Sequence, residues 1–334
     1  MKICIITIYN SMNYGAYLQA YATYSLLSAQ GHDVYMYETE KRNLPFYIHA
    51  LHLRDLKNFS FNFKLLNNYM KDWREFKIVR DLNDTYDLVI IGSDELWNVD
   101  NYNFSHEGYY IGKGINSKEI ITYAVSANTC TLERFSEVYG TGKNILENLD
   151  GIGVRDKNTL SIASKCSNIS PIEVLDPTFL QNSYKESDIC VDDYILIYGY
   201  YFTEDEKEKI NIIKNIMKKK IVSVGFKHEW CDLNIPCSPL EFVSYVKNST
   251  FVITSTFHGT VFSIMNNKQF ATFARKNSKI HDVLKKFDLE TRNITHNDCN
   301  LTINNFIDYD KVNRTIEMRK KESLQFLNNF IKNK

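Results

Sequence analysis

Two residues stand where chemistry could be done. His258 follows the apolar run 251–254 in the turn Ser255-Thr256-Phe257-His258-Gly259. An imidazole there can exchange protons near neutral pH. Gly259 permits close approach at a helix start, where unpaired N–H groups and the positive dipole end favour an anion. The same position equally suits a histidine that only caps or packs the turn. Arg155 ends the short run Ile152-Gly153-Val154 and is followed by Asp156. A guanidinium is the side chain best shaped to grip a carboxylate or phosphate through two parallel bonds, although an Arg beside an Asp commonly just pairs with it. Arg275, Lys276 and Lys279 form a second cationic cluster after residues 269–274. Asp94 and Glu95 have the composition of an acid–base pair, but neighbours in a turn point in different directions, so Asp94 is expected to bind hydroxyls.

The elements that must position these residues follow from periodicity. Residues 3–9 read as a strand buried on both faces, as in a parallel sheet. The loop Asn10-Ser11-Met12-Asn13-Tyr14-Gly15 leads into an amphipathic helix over 16–30, closed by Gly31, and residues 33–38 supply the next strand. This βαβ unit holds one glycine in its first turn rather than G-x-G-x-x-G, which argues against a dinucleotide cofactor. Residues 41–80 are basic and aromatic with helical segments whose order the pattern does not give. Asp87-Leu88-Val89-Ile90-Ile91-Gly92 is the clearest strand and ends in Ser93-Asp94-Glu95-Leu96-Trp97-Asn98. A strand over 120–127 ends in Ser126. A second α/β series begins near residue 194: strand, charged helix over 204–219, strand, a helix over 239–248 begun by Ser238 and Pro239, then the strand before His258. Tyr17, Tyr21 and Tyr24 lie at helical spacing and are expected in the core.

Two such blocks predict an α/β protein of two doubly wound parallel-sheet domains. The expected division is 1–184 for the first domain, with Arg155, 185–311 for the second, with the His258 turn, and 312–334 for a helix crossing back to the first. A chain of 334 residues suits two cores. Lys plus Arg and Asp plus Glu number 40 each, so no global field draws it to nucleic acid or an anionic membrane. The seven cysteines are scattered without a C-x-x-C pair, which predicts reduced thiols of a cytoplasmic protein and no metal site. No apolar run is long enough to cross a bilayer, and the first apolar run is too short for a signal peptide. A lipid-linked acceptor would require peripheral contact at the inner face of the membrane.

In order along the chain, Asn13-Tyr14-Gly15-Ala16 with Leu18-Gln19-Ala20, Ile91 to Asn98, Tyr123-Ala124-Val125-Ser126-Ala127, Gly153-Val154-Arg155-Asp156, Leu175-Asp176-Pro177-Thr178, Ser255 to Thr260, and Arg275 to Ile280 resemble the polysaccharide pyruvyl transferase family. The resemblance implies a GT-B-like fold, α/β with two Rossmann-like doubly wound domains facing a cleft, and transfer of enolpyruvyl from phosphoenolpyruvate to a sugar of a cell-surface polysaccharide or its lipid-linked precursor, as a pyruvate ketal, with no cofactor. It implies that His258 is the general acid or base and that Arg155 grips the donor's anionic groups. Ser255, Thr256, Phe257, Gly259, Thr260, Arg275, Lys276 and Lys279 would line the donor side. Asn13, Tyr14, Gly15, Ser93, Asp94, Asn98 and Ser126 would line the acceptor side, expected in the first domain with Arg155. Many relatives carry arginine where this chain has Thr256, so Arg275, Lys276 or Lys279 would replace it, or the donor would differ. The rival functions are a nucleotide-sugar glycosyltransferase on the same architecture and a non-catalytic glycan-binding relative.

Overall fold

The computed structural model describes residues 1–39, 44–51, 56–101, 106–181 and 183–331. The first sheet is built from β1 (Lys2–Ile6), β2 (Asp33–Tyr37), β3 (Ile78–Val79), β4 (Tyr86–Ile91), β5 (Ser117–Val125), β6 (Gly151–Val154) and β7 (Ile172–Glu173), in the spatial order β3-β2-β1-β4-β5-β6-β7. All its pairings are parallel, for instance Ile3 with Val34 on one side and with Leu88 on the other. The second sheet runs β10-β9-β8-β11-β12, from β8 (Tyr194–Tyr198), β9 (Lys220–Val224), β10 (Leu233–Ile235), β11 (Phe251–Thr254) and β12 (Phe270–Thr272), and is parallel too. The central strands β1, β4, β8 and β11 are almost wholly buried, which is why they read as unbroken apolar runs rather than alternating ones.

Helices join the strands: α1 (Tyr14–Ala29), α2 (Leu44–Ala50), α3 (Phe59–Asp72), α4 (Leu132–Tyr139), α5 (Lys157–Cys166), α6 (Glu204–Met217), α7 (Pro239–Asn248), α8 (Phe257–Met265), α9 (Ser278–Lys286), α10 (Cys299–Asn304) and α11 (Tyr309–Asn328). Two capping boxes fix helix starts that polar triplets foreshadow, Thr203 with Glu206 for α6 and Ser238 with Glu241 for α7. In both sheets the strand order reverses beside the first strand, between β1 and β4 and between β8 and β11. Open α/β sheets bind ligands at the carboxyl ends of the strands at such a reversal. The four loops that matter are therefore 7–13, 92–98, 199–203 and 255–256.

Three local expectations change. β1 ends at Ile6 rather than at residue 9, because Thr7 turns its hydroxyl onto the Ser93 carbonyl at 2.8 Å. Asn13 starts α1 at Tyr14, two residues early, by accepting the Gly15 and Ala16 N–H groups. α1 is also not one-faced: residues 14–20 are all buried, because its first turns lie between the first sheet and helices α7 and α8 of the second domain. Tyr17 is in the core as its spacing indicates, whereas Tyr21 and Tyr24 are only partly buried against it. The last helix, α11, returns to the first sheet, where the Ser323 hydroxyl accepts the Leu175 N–H at 2.9 Å and Phe326 packs on Tyr123.

Candidate active site

The two strand reversals are apposed. Asn13, capping α1 after β1, donates from Nδ2 to the Tyr200 hydroxyl in the loop after β8 at 3.1 Å. Tyr14 reaches into the second domain: its hydroxyl donates to the Cys237 carbonyl and its ring lies parallel to Tyr198 at 5.7 Å. Gly225 has φ of +71° and passes so close to that ring that a Cβ would sit 2.6 Å from it. Gly15 is required by space alone. A Cβ there would lie 1.8 Å from Nδ1 of His258.

His258 is the second residue of α8. The Thr256 hydroxyl caps this helix by accepting the Gly259 N–H at 2.9 Å. The imidazole is 9% exposed, edge-on to Phe257, with Nε2 3.7 Å from Oδ2 of Asp176. That separation carries charge attraction but exceeds a hydrogen bond. The same Asp176 oxygen accepts Nη1 of Arg155 at 3.0 Å, and its other oxygen accepts the Thr178 N–H and hydroxyl. Burial would push the Asp176 carboxyl up, yet nearby His258, Arg155 and Thr178 together hold it well below the usual carboxylate range. Burial likewise opposes the charge on Arg155, and Asp176, Asp94 and Asp156 more than restore it.

Arg155 is 5% exposed, and its Nε and Nη2 have no hydrogen-bond partner among the described residues. Nη2 lies 3.9 Å from Oδ1 of Asp94. The Phe257 ring faces two cations, Cζ of Arg155 at 4.9 Å and Nζ of Lys279 at 5.6 Å. Arg155, Asp176, Phe257 and Lys279 line one small cavity together with Asp156, Asp282 and Lys286 and the apolar Leu175, Phe179, Val283 and Phe287. Lys279 itself crosses from α9 to pair with Glu95 of the first domain. Burial raises the Glu95 carboxyl, but Lys279, Asn98 and Arg155 more than reverse this and bring it down to about 2. Asn128 also donates to Glu95 and receives the Ser278 hydroxyl, so a second polar contact spans the domains here.

Several sequence expectations change at this level. Arg155 does not pair with its neighbour Asp156, which instead caps α5 and accepts the Ser126 hydroxyl at 2.6 Å. Ser126 and Ser93 are fully buried, the latter bonded to Gln19, so neither faces an acceptor. Tyr14 is an interdomain core residue, and the Asn98 amide supports Glu95 at 2.7 Å. Thr256 is occupied as a cap, and Thr260 is buried with its hydroxyl on the Thr256 carbonyl. Arg275 is committed to Glu206 through two N–H groups, while Lys276 is exposed and makes no ion pair among the described residues. Ser255 is half-buried, and Gly259 leaves room for the Thr254 hydroxyl. Of the three cations named for the donor side, Lys279 alone lines the cavity with Arg155.

Asp176 has the central position, though the sequence marked it only as part of the segment Leu175-Asp176-Pro177-Thr178 and gave it no role. Gln19 is a second residue to which the sequence assigned no role, although it lies in the matching segment Leu18-Gln19-Ala20. Its buried amide donates to Thr7, Ile8 and Ala16 and accepts from Ser93, tying together the loops after β1 and β4.

A model of the family described as polysaccharide pyruvyl transferase matches residues 13–277, which takes in both apposed reversals, Arg155, Asp176 and His258. The chain belongs to the polysaccharide pyruvyl transferase family. No curated protein matches it. Among solved structures it is similar to a protein assigned as a UDP-N-acetylglucosamine 2-epimerase from Listeria monocytogenes, at 9% identity with TM-score 0.56, over 98% of this chain and 95% of that one. It is also similar to the UDP-GlcNAc 2-epimerase of Methanocaldococcus jannaschii solved with UDP-GlcNAc and UDP, at 13% identity and TM-score 0.46 over 95% and 99% of the two chains. The fold of this family member is thus GT-B-like, two parallel-sheet α/β domains with a shared cleft.

Proposed function

We propose that this transferase moves the enolpyruvyl unit of phosphoenolpyruvate onto two hydroxyls of a carbohydrate, forming a cyclic pyruvate ketal and inorganic phosphate. The observation that carries the reading is Arg155: a buried guanidinium with two nitrogens that have no hydrogen-bond partner among the described residues, near a histidine, in a member of this family. Such unmet donors are costly in a packed interior and are met by an anion.

In this reading Arg155 and Lys279 hold the donor's carboxylate and phosphate, with Lys279 supplying the positive charge that Thr256 does not. One sugar hydroxyl adds to C2 of the donor and C3 gains a proton. The C–O bond to phosphate then breaks as the second hydroxyl adds to C2. Of the two hydroxyl protons, one ends on C3 and the other leaves on phosphate, so the reaction needs no oxidant. His258 moves those protons, with Asp176 facing its Nε2 at 3.7 Å, and cations fixed around the donor stabilise the charge that develops. The donor reaches Arg155 when the contact between Lys279 and Glu95 opens. The seven unpaired thiols suit a reducing cytoplasm.

The test is phosphate release from phosphoenolpyruvate over a panel of β-galactosides and lipid-linked glycans. Turnover is expected with at least one acceptor, with His258→Gln lowering kcat by about 100-fold or more. Stabilisation by nucleotide diphosphates but not by phosphoenolpyruvate, with no phosphate released, would replace this reading with nucleotide-sugar transfer.

A further inference from the structure

The chain as a whole is electrically neutral, but residues 41–77 carry eight Lys and Arg against three Asp and Glu. Within this stretch Lys57, Lys64, Lys71 and Arg74 are exposed, and among the described residues none of them makes a salt bridge. Elsewhere exposed cations are commonly matched, as Lys118 is by Asp87 and Lys311 by Asp288. The same segment exposes large apolar side chains. Phe59 and Phe63, one helical turn apart on α3, are 38% and 48% exposed and stack on each other at 6.1 Å instead of entering the core. Ile48 on α2 is 47% exposed, and the Asn62 amide of α3 reaches the Leu51 carbonyl just past the end of α2.

At about 100° per residue, Phe59, Phe63, Asn67, Lys71 and Lys64 fall within one arc of roughly 140° on α3. Leu65, Leu66, Tyr69 and Asp72 form the buried side. Aromatic rings together with unpaired lysines on one solvent face are what a helix presents to the boundary of an anionic bilayer, the rings entering the headgroup layer and the ammonium groups meeting phosphates. No helix among the described residues is long and apolar enough to cross a membrane.

We infer that α2 and α3 form a docking surface for an anionic lipid membrane. The surface is joined to the candidate site: Trp73, just after α3, donates to the Tyr9 carbonyl in the loop after β1, and Tyr69 packs on Tyr14 at 5.4 Å. The second domain takes part through Lys227, whose Nζ donates to the Lys57 carbonyl at 3.3 Å. A protein held by this face keeps the mouth between its domains near the lipid headgroups, where an acceptor carried on a lipid would present its sugar.

The test is sedimentation of the full chain with vesicles of phosphatidylcholine alone and of phosphatidylcholine mixed with phosphatidylglycerol. Binding is expected only to the mixed vesicles and weakens as salt rises. Lys57→Glu with Lys64→Glu lowers the partition coefficient on the order of tenfold or more. Phe59→Ser with Phe63→Ser lowers it by a similar factor, and an unchanged melting temperature shows that both variants are folded. Absence of binding, or binding that both variants retain, overturns the inference. So does light scattering that shows a wild-type dimer dissociated by Phe59→Ser with Phe63→Ser, because a second copy would then cover the face.

Discussion

Replacing Gly15 by alanine tests the contact between the two domains at its tightest point. The new methyl group would sit 1.8, 2.3 and 2.6 Å from Nδ1, Cγ and Cε1 of His258. Ordinary contact begins near 3.4 Å, so ring and backbone must separate by about 1.6 Å. The imidazole cannot simply swing away, since Asp176 lies at 3.7 Å on its other nitrogen and Phe257 at 5.0 Å between ring centres. Overpacking at a buried site costs about 1–3 kcal/mol, and a shift of about 1 Å in a catalytic group costs on the order of 100-fold in rate. Gly15→Ala is therefore expected to lower kcat for phosphate release by about two orders of magnitude and to lower Tm by a few degrees. His258→Ala in the same background removes the clash and should restore Tm but not activity. If Gly15→Ala retains wild-type kcat and Tm, the ring is free to move, and the rigid apposition of the two strand reversals is refuted.

Three further outcomes follow from the same geometry. Arg155→Ala strands the Asp176 carboxylate in the interior and should cost about 3–5 kcal/mol in urea denaturation, whereas Asp176→Asn with Arg155→Met should cost clearly less. Glu95 has its folded pKa lowered to about 2, so its link to Lys279 stabilises the protein fully above the ordinary carboxylate value and loses that contribution as pH falls from there toward about 2. Glu95→Gln should flatten this part of the Tm-against-pH curve, which differential scanning fluorimetry in citrate and glycine buffers would read. Tyr14→Phe removes one buried hydrogen bond between the domains and should lower the unfolding free energy in urea denaturation by about 1 kcal/mol without moving the aromatic stack.

The sheets were legible in the sequence because parallel strands buried on both faces leave unbroken apolar runs, as in 88–91 and 251–254. The turns after them were legible because glycine and polar residues cluster where a strand hands over to a helix. What faces the cleft was harder to read. Ser93 and Ser126 look like ligand-binding hydroxyls, yet Gln19 and Asp156 draw them inward, and a hydrogen bond made to a residue 74 or 30 positions away leaves no local pattern. Arg155 was expected beside Asp156, but that carboxylate is needed to cap α5, so the charge is met by Asp176 from a different strand end. α1 was expected to have one apolar stripe. A helix enclosed by two domains has no free side to mark with polar residues. The path of residues 41–80 was obscure for the opposite reason: exposed phenylalanines on α3 break the rule that apolar side chains point to the core.

The return of α11 gives the chain an unusual seam. Gly151 and Gly153 of β6 are bare because Phe330 and Phe326 fill their place, and a Cβ would come within 2.4 Å and 2.9 Å of those rings. The amino-terminal lobe is thus finished by the carboxyl-terminal tail, so the polypeptide passes between lobes twice. Cutting the gene at the apparent joint before β8 would leave a half-molecule with a bald, greasy strip along its sheet, prone to clump unless the tail were supplied as a separate peptide. For the same reason any hinging between lobes must flex both crossings at once, which restricts it to rotation about a line through the two.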